Sequence, residues 1–233
     1  MKIASFCALL LAFAAAGCNN QPAGPTVHET QSIPPDVATA LRATVHMGAG
    51  TLKLNGGSSG WLDAVFDYNV PEWKPTVVYN LVGEGGDLRV EQPSAGHTGG
   101  GDTKNDWDLK LNDEIPTDLT AQLGAGDATL DLGTVTLRSL TIEVGAGTVN
   151  LDLRGHPKRS YNLQIRGGVG DATIHLPASA GLYVEAGGGI GDVKVNGMRK
   201  DGDHWVNDAY GTSPITVRAD IKGGIGGITI SAE

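Results

Sequence analysis

A close pair of glycines flanked by alternating apolar residues recurs along most of this chain and leaves it few ways to fold. It stands in "HMGAGTLKL", "GEGGDLRV", "QLGAGDATLDL", "EVGAGTVNLDL", "RGGVGDATIHL", "AGGGIGDVKV" and "KGGIGGITI". The second glycines are Gly50, Gly86, Gly126, Gly147, Gly170, Gly191 and Gly226, with spacings of 36, 40, 21, 23, 21 and 35. A period near 21 to 23 residues, with insertions in the longer gaps, marks a solenoid whose repeats stack to share one core.

Side-chain parity predicts a strand on each side of every corner. Leu119/Ala121/Leu123, Leu140/Ile142/Val144 and Tyr161/Leu163/Ile165 share one face before the glycines. Leu130/Leu132, Val149/Leu151/Leu153 and Ala172/Ile174/Leu176 do so after them. Ala146 and Ile190, one residue before the anchor glycine, are read with the inward set. The parity breaks at the glycines, as at a bulge or corner, where glycine tolerates the unusual backbone angles. The fold class is therefore all-β, a single-stranded β-solenoid with Gly-x-Gly corners.

Other uses of such glycines fit less well. A dinucleotide fingerprint needs a third glycine three residues on and a following helix, but Thr129, Asn150, Thr173 and Lys194 stand there and a strand pattern follows. The calcium nonapeptide places aspartate two residues after its second glycine, whereas Asp127, Asp171 and Asp192 come one after.

The chain opens with Lys2, an apolar run from Ile3 to Ala16, and then Ala15-Ala16-Gly17-Cys18. This has the charge, length and small-residue cleavage site of a secretory signal, and the cysteine after the small residues resembles the lipobox of bacterial lipoproteins. Residues 1–17 are read as the signal, Cys18 as the lipidated residue, and 18–38 as a polar, proline-rich linker. Cys7 leaves with the signal, so no disulfide is expected in the mature chain. Formal charge is −9, and loss of Lys2 makes it −10, with no basic cluster. Nucleic acid is thereby disfavoured as a partner. Membrane attachment would rest on acyl chains at Cys18. Asn19 after the cysteine points to the outer membrane, facing the periplasm, if the source is Gram-negative.

From Ala43 to Leu153 the chain resembles the bacterial toast-rack family of envelope proteins. The matching stretches are "VHMGAGTLKLNG", "FDYNVPEWKPTVVYN", "GDLRVEQP", "WDLKLNDEIPTDLTAQLGAGDATLDLG" and "LRSLTIEVGAGTVNLDLRG". It is similar, more faintly, to the solenoid end of LiaF-type cell-wall-stress regulators and to head domains of bacterial adhesins. The resemblance implies a stacked, non-enzymatic β-solenoid without catalytic residues. The transmembrane helices that precede the LiaF-type module are not found in this sequence.

Candidate chemistry is sparse. "GGSSG" at 56–60 matches the nucleophile-elbow spacing, but that motif needs a strand-to-helix turn, and here it joins two strand patterns as a hairpin loop. His28, His46, His97, His156, His175 and His204 lack the paired spacing of a zinc site, and neither metal nor cofactor is expected. Outward residues form columns, among them Thr129/Asp131 beside Asn150/Asp152, which a polysaccharide-degrading enzyme could use and a solvated sheet face explains more simply. Trp61, Phe66, Tyr68, Trp73 and Tyr79 crowd one segment, either as the cap of the solenoid's open end or as a groove for a glycan or peptide. Trp205 and Tyr210 lie in an insertion, 197–214, before the last rung. "ITISAE" at the C-terminus is read as an uncapped terminal strand, which the insertion folds over or through which another chain pairs.

The resulting organisation is the signal, the linker, an N-terminal toast-rack segment with its aromatic cap at 39–105, and C-terminal rungs at 106–233. The best reading of function is a lipid-anchored cell-envelope scaffold or interaction protein without catalysis. Its partners would be the membrane and an envelope protein or glycan, with oligomers formed through the C-terminal edge. The alternatives are a stress sensor that binds glycan or peptide and, third, a polysaccharide-degrading enzyme.

Overall fold

The computed structural model describes residues 23–93 and 102–233. Sixteen strands stand in chain order among them: β1 (Val27–Ile33), β2 (Ala40–Ser58), β3 (Leu62–Tyr68), β4 (Thr76–Val82), β5 (Gly85–Glu91), β6 (Asn105–Asn112), β7 (Thr117–Asp131) and β8 (Leu137–Asp152). They continue as β9 (Tyr161–Val169), β10 (Ala172–Leu176), β11 (Gly181–Ile190), β12 (Val193–Asn196), β13 (Arg199–Asp201), β14 (His204–Val206), β15 (Thr216–Ile225) and β16 (Ile228–Ala232).

Each rung is one long strand, or two in succession, bent at a glycine pair. In β7 and β8 the pairing stays in register from Leu119/Leu140 through Gly126/Gly147 to Leu130/Leu151, so the corner adds no slip between rungs. The half-strands before the corners form one wall and those after them form another. Their inward residues merge in a single hydrophobic cluster that runs from Ala38 to Ile230 and crosses the 105/106 boundary without a break. Six of the seven anchor glycines, all but Gly86, have φ between 126° and 139°, a region that a side chain rarely enters.

Gly86 is no corner. It lies at the start of β5, paired with Leu41 of β2, and the turn of the β4–β5 hairpin is made by Gly83 at φ 63°. The glycine-rich tip of a hairpin imitates the corner motif at the level of sequence.

The linker read over 18–38 contains a strand. β1 pairs antiparallel with β3 from Val27/Tyr68 to Ile33/Leu62, because the alternation of "VHETQSI" suits an edge position. The loop at 56–60 is not a simple hairpin either, since β3 pairs with β1 and β6, not with β2.

Rung order departs from chain order at the C-terminal end. Successive rungs are 40–58, 117–131, 137–152, 161–176, 216–232 and 181–196, because β15 pairs with β9 on one side and β11 on the other. β16 likewise lies between β10 and β12. The final strand is thus interior, and the uncapped edge expected at "ITISAE" does not exist. The outermost rung is 181–196, and the insertion covers half of it: β14 pairs antiparallel with β11, and β13 with β14. Buried Asn207 pins this cap by accepting the Leu182 amide at 2.8 Å and donating to the Ala178 and Ala180 carbonyls at 3.2 and 2.8 Å.

Ala146 and Ile190 also need correction. Both are exposed on the outside of the corner, because the chain turns across residues 145–148 and the inward parity resumes only at Val149.

Candidate functional site

The aromatic segment near the N-terminal end is packed as a cap. Trp61, Phe66, Tyr68 and Trp73 are buried, and Phe66 meets Trp107 edge-to-face with centroids 5.4 Å apart. The polar atoms of three residues in this segment are held by neighbouring carboxylates: Trp61 Nε1 and the half-buried Tyr79 hydroxyl donate to Asp36 at 3.1 and 2.8 Å, and Tyr68 donates to Glu29 at 3.2 Å. Four of these five residues are thus buried and Tyr79 is half-buried, packing that suits a cap better than an open groove. Cys18 lies outside the described residues.

The space under the corners leaves a ligand little room. The space beneath the corner, between Val144, Ile165, Ile221 and Ile228, is about 30 Å³, enough for one water.

Neighbouring side chains tie up much of the outer surface. On the first wall Gln122 donates to Glu143 at 2.8 Å, Ser139 donates to Asp118 at 2.7 Å, and Arg166 donates to Asp220 at 2.5 Å. On the second wall Asp131 and Asp152 do stack on adjacent rungs. Arg154 Nε reaches both oxygens of Asp152 at 3.0 Å, and its Nη1 bonds Glu233 at 3.0 Å. The Arg154 guanidinium holds the Asp152 carboxyl below the usual carboxylate range. Asp220 is lowered in the same way by Arg166. Ser58 of "GGSSG" is buried, donates to Asp63 at 2.7 Å and accepts the Gly60 amide, a turn-stabilising role. Among the described residues no group of three or more His, Cys, Asp or Glu side chains could hold a metal ion.

A second aromatic cluster is half-exposed at the C-terminal end. His204 stacks on Tyr183 with centroids 4.2 Å apart, Tyr210 lies 5.8 Å from Tyr183, and the Arg218 guanidinium sits 5.2 Å from the Tyr183 ring. Lys200 lies 5.3 Å from the ring of Trp205. The Tyr183 hydroxyl donates to Glu185 at 3.1 Å. That hydrogen bond raises the phenol above its usual range. Trp205 and Tyr210 stand out in the sequence, but Tyr183 and Arg218 do not, because only the interleaved rung order sets residue 218 beside residue 183.

Residues 22–175 match the family model described as the N-terminal domain of toast_rack, DUF2154. The chain belongs to the toast-rack family. A candidate cell adhesion protein from Clostridium sporogenes is 32% identical to this toast-rack chain, with 90% of this chain and 100% of that one covered and a TM-score of 0.87. A candidate adhesin from Bacteroides fragilis aligns over 90% of this chain and 98% of its own, at 11% identity and a TM-score of 0.34, too low to carry any argument. No curated protein matches the toast-rack chain.

Proposed function

We propose that this toast-rack protein is a lipid-anchored component of the cell envelope that works by contact with other molecules and not by catalysis. The observation that carries the reading is the hold of Arg154 Nε on both oxygens of Asp152. A glycoside-cleaving site needs one carboxyl kept protonated by a raised pKa, whereas the Asp152 carboxyl is clamped by Arg154 and held ionised. The description of the Clostridium sporogenes relative as a candidate cell adhesion protein supports a contact role. The signal and Cys18 support export and acylation. The surface proposed for contact is the half-exposed set of Tyr183, His204, Tyr210 and Trp205 with Arg218 and Lys200, since aromatic rings beside cations are favoured in recognition surfaces.

The test is binding by the wild-type protein and by Tyr183→Ala/Arg218→Ala, measured on a glycan array and on solubilised envelope proteins, with release of reducing sugar from envelope polysaccharide followed in parallel. Retention that the double variant loses, without sugar release, supports the proposal. Turnover of polysaccharide that depends on Asp152 would contradict it.

A further inference from the structure

The residue between the corner glycines changes character along the stack. It is Ala49, Ala125 and Ala146 on the first three rungs and Val169, Ile225 and Ile190 on the last three. The three aliphatic residues are consecutive in space, for Ile225 pairs with Val169 on one side and with Ile190 on the other. They stand outside the corner and are 54, 51 and 69% exposed in spatial order. Alanine serves the same geometry elsewhere, so the corner does not require the larger side chains, and left in water they gain little from packing.

The path of the chain says what covers them. Val27, itself 44% exposed, pairs with Tyr68, and Tyr68 pairs with Asn105. Asn105 begins the row that continues through Gly50, Gly126, Gly147, Gly170, Gly226 and Gly191, each corner set against its neighbour. One edge of the molecule therefore begins where the chain enters the fold and ends at the aliphatic ridge, about 38 Å away at the usual strand spacing. The Gly24 amide already bonds the Asn69 carbonyl at 2.9 Å. The segment from Cys18 to Gly24 spans at most about 21 Å when extended.

We propose that this corner edge lies along the bilayer that holds the anchor, with Val169, Ile225 and Ile190 entering the boundary between headgroups and acyl chains of uncharged lipid. The proposal rests on the reading of Cys18 as the anchor. Three partly exposed aliphatic residues are too few to hold a protein at a membrane alone, but a short tether makes their insertion an intramolecular step at high effective concentration. Asp171 and Asp192 follow two of the corners and are exposed, and the chain's charge is −9, which favours zwitterionic over anionic headgroups.

The test places tryptophan at the ridge in Ile190→Trp and, as a control, on the outward face of the first wall in Asn162→Trp. Chains beginning at Cys18 are reconstituted into phosphatidylcholine vesicles with plain or brominated acyl chains. Loss in brominated vesicles of the emission added at 190, with retention of that added at 162, is the expected result. Equal emission from 190 in both vesicles, with the protein bound, would overturn the proposal, as would burial of the ridge in a dimer that Ile190→Ser dissociates. A chain that fails to bind vesicles marks failure of the anchor reading instead. Coupling the Cys18 thiol to a maleimide-bearing phospholipid then puts the ridge to the same test with the same two outcomes.

Discussion

The carbonyl oxygen of Gly126 occupies the place where a first side-chain carbon on Gly147 would have to sit. Gly147 also has φ 138°, and the same contact recurs between Gly50 and Gly126, Gly147 and Gly170, Gly170 and Gly226, and Gly226 and Gly191. The corners are thus glycine for two reasons at once, backbone angle and close approach of the next rung.

Gly147→Val should therefore lower stability by about 2–4 kcal/mol through combined strain and displacement of the neighbouring rung. Thr148→Val beside it, half-buried on the outer surface, should change it by less than about 0.5 kcal/mol. Urea unfolding of both variants reads the difference, and equal losses would contradict the column.

Asn207→Ala removes a buried amide that makes three hydrogen bonds, one to Leu182 of rung 181–196 and two to the turn leading into it at Ala178 and Ala180. A loss of about 2–3 kcal/mol is expected, because the Leu182 amide would be left buried without its partner. Local unfolding should appear first in 199–206, visible as faster amide exchange there than in β8.

Placing the final strand inside the stack makes an exchange prediction of its own. Amides of Ile228 to Ile230 should be protected as strongly as those of Val149 to Leu151, and those of Val193 to Asn196, paired among the described residues with β16 alone, should exchange faster. The reverse order would restore the reading of "ITISAE" as the terminal edge.

The Asp152–Arg154 pair gives a pH dependence. Arg154 depresses the carboxyl below its ordinary 3.8 in the folded state, so its contribution is full above that value and is lost as pH falls through the lower folded one. Asp152→Asn should flatten the acid limb of stability below about pH 4 and lower neutral-pH stability by about 1 kcal/mol or less, the pair being only partly shielded from solvent. Thermal melts from pH 2 to 7 measure this, and an unchanged acid limb would contradict it.

Much of the architecture was legible in the sequence because alternation and glycine spacing are local properties. The six corners and the inward faces of Leu119 to Leu123 and Val149 to Leu153 follow from that pattern alone. Order in space is not local. Nothing in "TVRADIKGGIGGITI" tells that it slots between 161–176 and 181–196, since every rung presents the same kind of edge to its neighbours. The cluster of Tyr183 with Arg218 was hidden for that reason. The roles of Ala146 and Ile190 were misread because parity was carried through a corner that resets it. Gly86 misled because a hairpin tip and a solenoid corner both demand glycine.

Attachment to the envelope through Cys18 is read out by membrane partition. Wild-type protein should fractionate with membranes and carry an N-terminal mass increase equal to a diacylglyceryl group plus any amide-linked acyl chain, while Cys18→Ser should be recovered in the soluble fraction. Unmodified Cys18, or a Cys18→Ser protein that stays with the membranes as wild type does, would contradict the claim.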